Sequence, residues 1–190
     1  MSPITMLRRA SPLALLLALA VPAAAQLQPL DGQWIKLHVK ATGRTVDTDT
    51  LVLKKGSLST TAFLHLALSP GDGTPAGITY DWQLWTKQDN KVWAQSDMGT
   101  ITFIGIGGGD QIAVDLPLDL TLANGRSLSV RATLLFDLKV KKKNGLLKGV
   151  KVSTLGAEVV DGSVNGADEF RGGANLKGQD VAEGKLPFEP

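Results

Sequence analysis

Groups able to act as nucleophiles, proton carriers or metal ligands are few in this chain. It has no cysteine and two histidines, His38 and His65. Neither a G-x-S-x-G elbow nor an H-E-x-x-H pair occurs, so the common serine-nucleophile and zinc constellations have no footing. Carboxylates able to hold a hard cation gather at Asp47 and Asp49, in the turn Gly107 to Asp110, and between Asp161 and Glu169. Calcium wants roughly six to eight oxygens from a loop that curls around it. None of these stretches has EF-hand spacing, and one Gly-Gly-Gly-Asp turn is a single copy where a calcium-binding repeat needs several. The expectation is a protein that is not an enzyme and that carries no metal and no cofactor.

Flat apolar surface is the more abundant resource. Tyr80, Trp82, Trp85 and Trp93 are four of the ten aromatics of the chain and fall within 14 residues. Period-two geometry puts Tyr80 and Trp82 on one face of a strand and Trp85 on the other. One face is then core. The other is a tryptophan wedged under a loop, a sugar-stacking platform beside Gln83, Asp89 and Asn90, or the lining of a ligand cavity. These four residues are the candidate ligand site. A second concentration is cationic: Lys139, Lys141, Lys142, Lys143, Lys148 and Lys151 crowd one hairpin. Such a tip can meet lipid headgroups, acidic glycans or nucleic acid, or simply discourage edge-to-edge pairing.

The elements that must position these groups are strands. From Gln111 to Leu122 the residues Ile112, Val114, Leu116, Leu118, Leu120 and Leu122 share a face, and Pro117 on the opposite face marks an edge or a bulge. Leu128 to Val140 repeats the alternation, with Asn124-Gly125 as the turn between. Beyond it, Lys143-Asn144-Gly145 admits two registers. A three-residue loop sets Leu138 against Val150, Phe136 against Val152 and Asp137 against Lys151, whereas a two-residue loop would set Leu138 against a lysine; the first is expected. Trp34 to Thr42 buries Ile35, Leu37, Val39 and Ala41 and turns His38 outward, while His65 shares a face with Phe63 and Ala67. Further strands are expected at Thr45 to Lys54, Leu58 to Leu68, Ile78 to Thr86, Lys91 to Asp97, Gly99 to Ile106 and Leu146 to Val160. A weak candidate lies at Ala174 to Ala182.

Residues 1–25 read as a cleavable signal: Arg8 and Arg9, an apolar run from Leu13 to Val21, then Pro22-Ala23-Ala24-Ala25 before Gln26. That run is about half the length a membrane-spanning helix needs, and no later segment approaches it, so no transmembrane helix is expected. The leader holds two of the 20 Lys and Arg and none of the 18 acids, which leaves the exported part charge-balanced and gives no overall preference for nucleic acid. Without cysteine, its stability must come from packing and strand pairing. Residues 26–160 are expected to form one antiparallel β-domain, with 161–190 a glycine-rich tail docked upon it.

The segment Asp31-Gly32-Gln33-Trp34 resembles the glycine-x-tryptophan start of lipocalins. The resemblance implies an eight-stranded barrel plugged at one end by Trp34, with a cavity lined by inward residues of several strands. The fold class expected is therefore all-β, a single antiparallel barrel or sandwich of about 8–10 strands. The function expected is binding of a small apolar ligand outside the cytoplasm, in the periplasm or beyond the cell. A structural or adhesive sandwich for protein or glycan and a small outer-membrane barrel are the alternatives.

Overall fold

A computed structural model of the chain describes residues 30–47, 49–68, 79–88, 92–95, 99–106, 111–121, 127–141, 146–163 and 169–190. The leader with its cleavage site, and the turns at 107–110, 122–126 and 142–145, lie outside them. Nine strands are described: β1 Trp34–Val46, β2 Leu53–Leu68, β3 Thr79–Gln88, β4 Val92–Gln95, β5 Gly99–Ile106, β6 Gln111–Thr121, β7 Ser127–Val140, β8 Leu147–Gly162 and β9 Glu169–Val181. All pairings are antiparallel, and they run β2-β1-β9-β8-β7-β6-β5-β3 with β3 returning to β2. β2 takes one edge of β3. On its other edge β3 pairs with β5 through Thr79 to Trp82 and with β4 through Trp85 to Gln88, so β4 and β5 act as two halves of one bent strand. The result is one curled sheet of antiparallel neighbours whose ends meet at β2 and β3, and on the β5 side β6 is paired only through Ile112 to Val114.

The expected faces hold. Ile35, Leu37, Val39 and Ala41 of β1, Ile112 to Leu120 of β6 at alternate positions, and Leu128 to Leu138 of β7 likewise point into one apolar core. Phe136 pairs with Val152, Leu138 with Val150 and Asp137 with Lys151, the register that keeps both apolar faces inward. Pro117 pairs with Arg131 on β7 and lies past the stretch of β6, Ile112 to Val114, that pairs with β5, so its missing N–H costs no ladder bond there. A residue bordering a void wide enough for water would carry accessible area. Leu37, Leu64, Leu84, Val114, Leu116, Leu134 and Phe136 carry none, so the described interior is packed solid around them.

Three expectations are corrected. Thr45 to Lys54 is not a strand: β1 runs on to Val46 and a tight turn follows, in which Asp47 Oδ1 accepts from the backbone N–H groups of Asp49 and Thr50, each at 3.1 Å. Those bonds hold the Asp47 carboxyl below its ordinary pKa, the Thr50 N–H foremost. The glycine-rich segment after residue 160 is not merely docked. Its residues 169–181 form β9, which lies between β8 and β1 and pairs with β1 over its whole length. Glycine permits this closeness: a Cβ at Gly43 would fall 2.1 Å from the Arg171 carbonyl, and one at Gly172 2.3 Å from that of Thr42. Finally, Trp34 does not plug the barrel. It points outward, and the fully buried residue at that end is Leu30, carried by a turn in which Gly32 adopts φ 67° and gives its N–H to the Leu66 carbonyl at 2.8 Å.

Candidate functional site

Alternation sends Trp34 of β1, Phe63 and His65 of β2, and Trp85 of β3 to the outside of the barrel. The register then makes them neighbours, with Trp34 opposite His65 and Phe63 opposite Trp85. Large apolar side chains on an outward face need a cover, and the C-terminus supplies one. After β9 a single 3-10 turn, Glu183–Lys185, reverses the chain, and the extended Leu186 behind it leads Phe188 back across the outside of β1 to β3.

Phe188 stacks on Trp85 with ring centroids 4.5 Å apart and planes 5° from parallel. It meets Trp34 and Phe63 edge-on at 5.8 and 5.5 Å. Trp34 in turn stacks on His65 at 4.4 Å. Phe63, though outward, is left 3% exposed. Two features of this bay are unusual for a closed core. The Trp85 indole nitrogen is buried and has no hydrogen-bond partner among the described residues, a state that costs about 1–3 kcal/mol. The His65 imidazole is held below its ordinary pKa, chiefly by desolvation, with Glu183 and Asp31 pulling the other way. The bay therefore gathers three aromatic rings and is filled by a side chain from a segment with no strand pairing of its own.

Of the four aromatics singled out in the sequence, Trp85 belongs to this bay. Trp82 lies on the opposite face of β3 and is part of the core at 8% exposure. Tyr80 pairs with Leu68 and Ile101, and Trp93 with Lys87; their side chains lie outside the described residues. The structure adds Trp34, Phe63, His65 and Phe188, which sequence clustering overlooked because they are scattered over the chain. Their signal was parity: once Ile35, Leu37 and Val39 are assigned inward, Trp34 must face out, and Leu186-Pro187-Phe188 is an apolar end in search of a surface.

His38 faces outward, with Nε2 3.3 Å from Ser59 Oγ. At the basic hairpin, Lys139, Lys148 and Lys151 are exposed, and Lys139 is held below the ordinary lysine pKa first by its neighbour Lys151. Among the described residues no three carboxylate or imidazole groups converge as metal ligands would, and no helix is long and apolar enough to cross a membrane. No protein-family model and no curated protein matches the chain.

Proposed function

We propose that the chain is an exported, non-enzymatic binding module whose small apolar ligand sits in the outer aromatic bay of Trp34, Phe63 and Trp85, in the place Phe188 takes. The observation that carries this reading is the cover itself. Phe188, one residue of the C-terminal segment, lies parallel on the Trp85 ring and edge-on to Trp34 and Phe63, and a ligand with an apolar body that displaced it would take over those ring contacts. The absence of accessible surface at Leu37, Leu64, Leu84 and Phe136 favours an outer site over one among these inward residues. The outer-membrane alternative fares less well on residue chemistry. Outward positions of β6 and β7 carry Asp115, Asp119, Arg131 and Thr133, with Ser129 Oγ donating to Asp119 at 2.6 Å, and such groups do not face lipid.

Tryptophan fluorescence tests the proposal directly. A fatty acid such as laurate, added to the full chain, should shift the emission, and Phe188→Ala should tighten binding because the tail no longer competes. If the tail occupies the bay about 90% of the time, that gain is about tenfold. Trp85→Ala should remove the response. Laurate binding that is indifferent to both substitutions, or no binding even by Phe188→Ala, overturns the assignment.

A further inference from the structure

The exported part of the chain is charge-balanced, yet its charges are segregated. Below the aromatic bay the outward positions are Lys36, His38, Lys40, Thr42 and Arg44 on β1 and Lys55, Ser57, Ser59 and Thr61 on β2; beside them on β9, between Glu169 and Val181, they are Arg171, Gly173, Asn175, Lys177 and Gln179. These three strands are adjacent. Together the positions hold six fixed cations and no carboxylate. The register also sets Lys55, Arg44 and Arg171 side by side in one row and Lys177 beside His38. Like charges directly opposite one another destabilise a sheet. One carboxylate, Glu169 at the end of β9, pairs with Arg171. Beside that row the surface opens into a shallow depression of about 540 Å³ lined by Thr42, Gly43, Arg44, Lys55, Gly56 and Ser57.

We propose that the outward face of β2, β1 and β9 binds a linear acidic polysaccharide, a site separate from the aromatic bay. Outward residues along a strand recur about every 6.7 Å, so Lys36 to Arg44 spans roughly 27 Å, a length suited to a chain of anionic sugars and not to a single small anion. Between the cations stand hydroxyl and amide side chains, Ser57, Ser59, Thr61, Asn175 and Gln179, the groups that hydrogen-bond sugar hydroxyls. No Phe, Tyr, Trp or aliphatic side chain stands among these positions; Trp34, Phe63 and Val181 lie beyond one end of the cationic rows and Leu53 beyond the other. A lipid surface would call for apolar residues to insert, and single-stranded nucleic acid for aromatic residues to stack on. Charge complementarity with a hydroxyl-rich surround selects the glycan.

Binding of a fluorescein-labelled heparin oligosaccharide to the full chain, followed by anisotropy across a salt series, is the experiment. The triple substitution Arg44→Gln, Arg171→Gln, Lys177→Gln should weaken binding by roughly 30-fold or more and flatten the salt dependence, since three counterion-releasing contacts are lost. Lys139→Gln, Lys148→Gln, Lys151→Gln on the hairpin should change it less than about threefold by the same reasoning. Circular dichroism of both triples controls for folding, and all six positions are exposed. The proposal is overturned by absence of binding at low salt, by equal losses in the two triples, or by a face that binds anionic phospholipid vesicles but not the oligosaccharide. Because laurate binding reads the aromatic bay alone, failure of one site leaves the other standing.

Discussion

Phe136 and Asp137 are consecutive residues whose side chains meet opposite surroundings. The first is fully buried between Ile112 and Val152; the second stands outside beside Lys151. Phe136→Ala should therefore cost about 3–5 kcal/mol in denaturant unfolding, and Asp137→Ala under about 1 kcal/mol. Leu51 is a different case. It is 76% exposed and holds φ 54°, in the left-handed region that penalises a side chain without any packing in return. Leu51→Gly should be neutral or stabilising by up to about 1 kcal/mol, measured the same way. His65 links a residue to pH. Its folded-state pKa is depressed, so the folded state binds fewer protons there than the unfolded chain, and the stability it contributes is complete above the unfolded value of about 6.5 and is lost as pH falls through the folded one. The stacked pair Trp34–His65 should loosen only as pH falls through the folded value, below the ordinary imidazole range, seen as a change in tryptophan emission that His65→Phe abolishes.

At the scale of elements, the joint between β8 and β9 shows how a side chain replaces backbone pairing. The two strands pair at Ser153 and Lys177, lose register, and pair again at Glu158 and Gly173. On the other side of β8 the bulge leaves Leu155 outside the ladder and 60% exposed. Within the gap the Thr154 hydroxyl donates to the Leu176 carbonyl at 2.9 Å and accepts from the Leu176 N–H, satisfying both groups of a residue whose side chain is core. Thr154→Val keeps the shape and removes both bonds, so it should cost about 1–3 kcal/mol in thermal or denaturant unfolding. Gly43→Ala tests the opposite edge of β9, its seam with β1. The added methyl would meet Arg171 backbone, which cannot rotate away, and the loss should exceed the usual effect of alanine in a strand.

For the whole molecule, the C-terminal 30 residues divide into two parts with different duties. β9 closes the ring and contributes Phe170 and Leu176 to the core, whereas the segment after Lys185 covers only the outer bay. A chain ending at residue 185 should keep its β-type circular dichroism and a cooperative melt, losing about 1–3 kcal/mol for the uncovered Phe188 contacts. A chain ending at residue 163 should lose the cooperative melt, because β1 and β8 would each expose an unpaired edge and part of the core. Identical behaviour of the two truncations would mean that β9 does not close the barrel.

What was legible in the sequence was whatever depends on period two. The inward faces of β1, β6, β7 and β8, the Phe136–Val152 register and the outward turn of His38 all follow from alternation plus the need to bury one face, and a one-residue slip would have exposed every leucine. Where the alternation is interrupted, local reading failed. β9 is glycine-rich because its neighbour approaches too closely for side chains, so the residues that mark its fit between β1 and β8 are those that erase a strand's ordinary pattern. The Asp47 to Val52 turn was hidden for the converse reason, since Leu51-Val52-Leu53 has strand composition and only the hydrogen bonds of Asp47 make it a bend. The aromatic bay and the cation-rich face were decided by tertiary structure alone. Each joins residues from three strands, and the chain end at Phe188 reaches the bay only after β9 has brought it back beside Trp34, a proximity that no spacing along the sequence encodes.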